Sequence, residues 1–159
     1  MSNIIYKEIN QEIEKKIIAK YGNWVKEYNC LHYGEGCYSV VALCDDEPIG
    51  FISTYPLHYP KPMQSYYDAY IDDIEVDEAY RRHGIATQLI KLTEVWAMEY
   101  GYHQIRSWSM DDKKEAIPMW YALNYCMCPA IMRGTSVIKE FVGKPVYGYY
   151  VAKMLNVTK

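Results

Sequence analysis

Phenylalanine is almost missing: the chain of 159 residues holds two, against 18 tyrosines and four tryptophans. A tyrosine keeps the ring but adds a hydroxyl that needs a partner, so the bias fits either a semi-polar cleft or a core in which Tyr stands in for Phe. Basic excess is missing too. Lys and Arg total 17 against 20 Asp and Glu, a formal charge of -3, which does not suit a phosphate backbone and argues against nucleic acid as a partner. No stretch approaches the roughly 20 apolar residues that span a bilayer. The opening Met1–Lys7 lacks a basic region followed by an apolar run, so no membrane partner is expected and the location expected is cytoplasmic. Cysteine is scarce and odd in number, at five. A chain of this size needs no disulfide staple, so free thiols in a reducing compartment are expected. Cys126-Met127-Cys128 and the spacing Cys30, Cys37, Cys44 lack the paired C-x-x-C or His pattern of a zinc site, and no metal is expected. Internal repeats and low-complexity tracts are absent, and the one Pro-rich segment, Pro56–Pro62, is too short to link two domains. There is no Ser nucleophile elbow. Gly34-Glu35-Gly36 precedes a strand rather than following one, so it is no dinucleotide fingerprint.

What is present reads as one globular domain over 1–159, half hydrophobic and 23% charged. Ile4–Ile9 predicts a strand. Asn10 predicts the N-cap of a helix with Ile13, Ile17 and Tyr21 on one face, broken at Gly22, and a short helix follows near Trp24. Tyr38–Leu43 and Ile49–Tyr55 predict a hairpin turning at Asp45-Asp46-Glu47-Pro48. Ala69–Val76 predicts a strand dense in carboxylates. Gly84 to Gly101 predicts a long helix with Ile85, Leu89, Leu92 and Trp96 in a stripe. Gln104–Ser109, a short helix over Glu115–Leu123, and strands near Cys126–Met132 and Val146–Met154 complete the order βααβββαβαββ. Hairpins mixed with a strand–helix–strand crossover predict an α+β fold with a mixed, mostly antiparallel central sheet flanked by helices.

The segment with chemistry in it is the strand–turn–helix from Ile74-Glu75-Val76 through Asp77–Tyr80 to Arg81-Arg82-His83-Gly84-Ile85-Ala86-Thr87. A helix N-terminus presents unpaired N–H groups and the positive end of the macrodipole, an anion site that needs no side chain. Gly84 and Ala86 keep that backbone bare, and Arg81 and Arg82 add charge beside it.

Arg81-Arg82-His83-Gly84-Ile85-Ala86 matches Gln/Arg-x-x-Gly-x-Gly/Ala, and in this the chain resembles the GNAT superfamily of acyl-CoA-dependent N-acetyltransferases over roughly residues 40–130. The resemblance implies acetyl-CoA as co-substrate. Its pyrophosphate would lie on the amides from Arg82 to Thr87, with Arg81, His83, Gly84, Ile85 and Ala86 around it, and its pantetheine arm would lie along Ile74, Glu75 and Val76 as an added strand would. It also implies a bulge in that strand and a gap between it and the next. Alternation alone leaves open which of Asp72, Asp73 and Glu75 faces the gap. Two departures stand out. Lys113 occupies the place of an Asn common in the family, and Trp120 the place of the Tyr that protonates the leaving thiolate, leaving Tyr121, one residue on, as the candidate donor.

The activity implied is direct acetyl transfer to a primary amine: a small cationic amine, an antibiotic or a protein amine. The alternative left by the departures is a non-catalytic acyl-CoA-binding or regulatory module of the same fold. Whether the chain pairs as a homodimer stays open. An amine with a pKa of about 10.4 is neutral only about one time in a thousand near pH 7, a handicap of roughly 4–5 kcal/mol, so something must take its proton. Asp72 and Asp73 are the candidate bases, Asp72 the favoured one, with Glu75 turned to solvent or a basic neighbour. His58 and His83 have no triad partner in the sequence. The loop Pro56–Tyr67, with Tyr55, Tyr59, Tyr66 and Tyr67, reads equally as an acceptor wall beside the gap or as a solvated loop.

Overall fold

A computed structural model describes residues 3–133 and 143–155; of the span 1–159 expected as one domain, residues 1–2, 134–142 and 156–159 lie outside the described ones. The elements are β1 (Ile4–Glu8), α1 (Gln11–Tyr21), α2 (Trp24–Glu27), β2 (Tyr38–Cys44), β3 (Glu47–His58), β4 (Tyr67–Val76), α3 (Ile85–Tyr100), β5 (Gln104–Met110), α4 (Ala116–Ala122), β6 (Cys126–Arg133) and β7 (Pro145–Met154). They form one seven-stranded sheet in the order β1-β2-β3-β4-β5-β7-β6, antiparallel except where β4 meets β5. The α+β class and the element order are those the sequence predicts, with one extra turn of 3-10 helix at Glu78–Tyr80.

Local chemistry explains the boundaries. Asn10 Oδ1 accepts from the amides of Glu12 (3.1 Å) and Ile13 (2.9 Å), so α1 starts there. The β2–β3 turn is tighter than predicted. Asp45 and Asp46 sit at φ 50° and 66°, the left-handed pair a two-residue turn requires, and Glu47 already pairs with Cys44. The β3–β4 hairpin is longer than predicted at its loop end. Pro56, Leu57 and His58 pair with Ala69, Asp68 and Tyr67, which shrinks the Pro-rich loop to residues 59–66.

The sheet is buried on both faces of its left half, and β2 shows how: Val40 and Ala42 join the α3 side while Val41 and Leu43 join the α1 side. On α3 the buried stripe is Ile85, Leu89, Ile90, Thr93 and Ala97. Leu92 and Trp96, expected at its centre, are only half-buried at its flank. The α1–α2 layer packs on β2 and β3, whereas on β7 Tyr150 remains 49% exposed. No helix among the described residues is long and apolar enough to cross a membrane.

Candidate active site

The parallel ladder between β4 and β5 is short. It runs Ala69–Ile105, Tyr70–Arg106, Ile71–Ser107 and stops, sealed by Ser107 Oγ donating to the Ile71 carbonyl at 3.0 Å. Past that point β5 pairs only with β7, through Trp108, Ser109 and Met110, and Asp73–Val76 have a partner on the β3 side alone among the described residues. The β4 edge from Asp72 to Val76 therefore has no strand opposite it among the described residues.

The bulge lies where the ladder ends. Ser53 pairs with Asp73 and Thr54 with Ile71, so Asp72 is the extra residue. In a regular strand Asp72 and Asp73 would face opposite ways. Here the bulge turns both toward the segment after α2: Asp72 Oδ2 lies 2.6 Å from His32 Nε2, and Asp73 lies beside the Cys30 thiol. Burial pushes the Asp73 carboxyl up to about 6, with the charges of Asp72 and Glu75 adding to it and Cys30 and His32 opposing. Burial, with the Asp73 and Asp72 charges, likewise pushes the Cys30 thiol up, so it is protonated at neutral pH. Glu75 turns to a basic neighbour, Arg81, at 3.6 Å.

The sequence reading passed over His32, and the structure makes it the most constrained histidine of the chain. Its backbone N–H donates to Ser53 Oγ (3.0 Å) and Ser39 Oγ (3.2 Å), and Ser39 Oγ donates back to its carbonyl at 2.9 Å. Both serines are buried. The ring packs on Tyr55 at 4.6 Å, and Tyr55 on Tyr70 at 5.4 Å. Local pattern could not have found it, since Asp72 is 40 residues away.

At the other end of the β4 edge, the first backbone bond of α3 is Gln88 N–H to the Gly84 carbonyl at 2.9 Å, so the amides of Ile85, Ala86 and Thr87 are left to other acceptors. No side chain caps this end and no acid sits in its first turn. Arg82 and Gly84 lie in the left-handed region at φ 67° and 79°. A Cβ on Gly84 would meet nothing within 4 Å, so glycine suits the bend and leaves open space above it. Arg81 is committed to β4, its Nε donating to the Val76 carbonyl at 3.1 Å. Arg82 makes no ion pair among the described residues. The His83 ring is exposed and folds back on the carbonyls of Arg81 and Tyr80 at 2.8 and 3.2 Å. Side chains of Ile74 and Val76 pack into the α3 core, so they present backbone, not apolar surface, to the edge.

On α4, Trp120 is buried against Tyr125, and Tyr121 is 61% exposed, its hydroxyl without a hydrogen bond among the described residues. The tyrosine-bearing loop is not beside the gap. Tyr59, Tyr66 and Tyr67 line a groove with Met63, Gln104 and Met154 at the start of β4, five residues or about 16 Å from the bulge. Of that aromatic set Tyr55 alone, through His32, reaches the bulge.

An open strand edge, a bulge and a bare helix N-terminus in sequence define an acyl-CoA transferase fold. A sequence model described as the Acetyltransferase (GNAT) family matches residues 5–125, and the chain belongs to that family, whose co-substrate is acetyl-CoA. Similar solved structures include a GNAT-family acetyltransferase from Streptococcus pneumoniae (13% identity, TM-score 0.70, 97% of this chain and 100% of that one). Arabidopsis thaliana NAA60 in complex with acetyl-CoA is another (16% identity, TM-score 0.70, 97% and 99%). A third is the ribosomal-protein-alanine N-acetyltransferase from Brucella melitensis (14% identity, TM-score 0.71, 95% and 99%). At these identities the likeness establishes the fold. No curated protein matches the chain.

Proposed function

We propose that the chain moves an acetyl group from acetyl-CoA directly to a primary amine of a small cationic molecule, an antibiotic or a protein. The observation that carries this is the end of the β4–β5 ladder after Ile71, which leaves β4 without a strand on that side as the chain runs on to the uncapped start of α3. The amides from Arg82 to Thr87, with Arg82 beside them, would hold the pyrophosphate. The free edge along Ile74, Glu75 and Val76 would pair with the pantetheine amides, which brings the thioester to the bulge. Ile85 is buried and fixes the helix start, and Gly84 and Ala86 leave the approach bare.

On the acceptor side Asp72 and Asp73 supply negative charge for an ammonium group and the means to remove its proton. Tyr121, accessible and unencumbered, is the group we assign to return a proton to the thiolate. The test is amine-dependent release of CoA thiol across a panel of small polyamines, aminoglycosides and peptides. Release with one class, and a product heavier by one acetyl group, supports the proposal. Tight acetyl-CoA binding with no release from any amine would instead establish the non-catalytic acyl-CoA module.

A further inference from the structure

We infer that the immediate acceptor of the amine proton is His32, with Asp72 as the residue that positions it, an inference that rests on the acetyltransferase reading above. The geometry argues this in three steps. The first is that His32 is held on every side: two buried serines fix its backbone, Tyr55 packs on its ring, and Asp72 Oδ2 takes one ring nitrogen at 2.6 Å. Buried hydroxyls that serve a segment outside any helix or strand fix its place far more tightly than a bland surface turn requires.

The second is tautomer. An ionised carboxylate only accepts, so the nitrogen facing Asp72 carries the hydrogen: Nε2–H donates and Nδ1 keeps its lone pair. A carboxylate that orients an imidazole also stabilises the cation formed when that lone pair takes a proton. The third is place. Asp72 is the bulge residue itself, one past the last rung of the β4–β5 ladder, so its partner His32 stands where the gap begins, with its side chain 16% exposed. The groups around the ring are Asp72 and Asp73 from β4 and Tyr55 from β3; beyond them lie Cys30 beside Asp73, Tyr70 beside Tyr55, and Arg106 from β5 near both tyrosines. Among the described residues Asp72 alone touches a ring nitrogen.

The step balances as follows. One N–H bond of the ammonium breaks and its proton goes to Nδ1, the freed lone pair forms the bond to the acetyl carbon, and the C–S bond breaks with its pair on sulfur. Tyr121 gives its hydroxyl proton to the thiolate to form CoA thiol and recovers one from the second amine N–H, and His32 returns its proton to water.

The experiment compares wild type with His32→Gln, which keeps an N–H for Asp72 but has no base, and with Asp72→Asn and the distant control His58→Gln. With the best amine, His32→Gln should lower kcat about 100-fold and flatten the acid limb of its pH profile, while acetyl-CoA affinity by calorimetry stays within about twofold. Asp72→Asn should cost about tenfold, and His58→Gln nothing. Nitrogen NMR of the free wild-type protein should find neutral His32 protonated at Nε2, and shifted toward Nδ1 in Asp72→Asn. An unchanged rate and pH profile in folded His32→Gln, or an Nδ1–H tautomer in wild type, overturns the role of His32 alone. A wild type that acetylates no amine overturns the acetyltransferase reading and this role together.

Discussion

The two sides of the gap are built differently. The side proposed to hold acetyl-CoA is one continuous run, Ile74 to Thr87, and its working groups are backbone amides and carbonyls: a strand edge, a turn and a helix start. The side proposed for the acceptor gathers Cys30 and His32 from the segment after α2, Ser39 from β2, Ser53 and Tyr55 from β3, and Tyr70, Asp72 and Asp73 from β4, and its working groups would be side chains. A backbone site tolerates almost any side chain that keeps clear of it, so it needs only a small residue at the right place. A side-chain site depends on packing between elements far apart in the chain, and each member is specified by its neighbours.

The largest effect should come from spoiling the backbone side. Gly84→Glu places a carboxylate in the open space above the α3 amides, and calorimetry should find acetyl-CoA affinity reduced at least about 100-fold by charge and volume. The left-handed φ of 79° adds about 1–2 kcal/mol of strain, small enough for circular dichroism to report a folded protein. Unchanged affinity would remove the phosphate role from this helix.

Next in size is the buried charge on the acceptor side. Asp73 is raised in the folded protein from 3.8 to about 6, so the folded state binds this proton more tightly than the unfolded one. That contribution is complete below about pH 4 and is lost as pH rises through about 6, a difference of about two units or roughly 3 kcal/mol. Asp73→Asn should therefore raise the urea midpoint at pH 8 and leave it almost unchanged at pH 4. Equal effects at both pH values would contradict the assignment of burial as the cause.

Removing the hydroxyl clamp should cost less. Ser53→Ala takes one of two acceptors from the His32 N–H, with an expected loss of about 1 kcal/mol in urea unfolding and a fall in kcat that acetyl-CoA affinity does not share. Parallel losses in rate and cofactor affinity would mean the two sides are not separable. The smallest effect concerns thiols. All five cysteines are free, with Cys126 and Cys128 exposed and Cys30 and Cys44 buried. A disulfide-exchange reagent should modify Cys126 and Cys128 first and reach Cys30 and Cys44 only on unfolding.

The same contrast explains what was legible in the sequence. Element order, the capping Asn10 and the α3 boundaries at Gly84 and Gly101 are local patterns, and the structure keeps them; the run proposed to hold the pyrophosphate is equally local, leading into that helix start. The bulge was not readable from alternation, because Asp72 is extra only relative to the strand opposite it. His32 carries no motif. Its role depends on Ser39, Ser53 and Asp72, seven, 21 and 40 residues away. The place of the Pro-rich loop was left open for a related reason: the extra rungs from Pro56 to His58 lengthen the hairpin and carry Tyr59, Tyr66 and Tyr67 to the far end of β4.

The most direct test of this division is a titration of nitrogen-labelled protein with acetyl-CoA, followed amide by amide. The account predicts the largest shifts along Asp72–Val76 and Arg82–Thr87, with smaller ones at His32 and none in the groove at Tyr59, Tyr66 and Tyr67. Shifts centred on that groove, with the start of α3 unmoved, would contradict it.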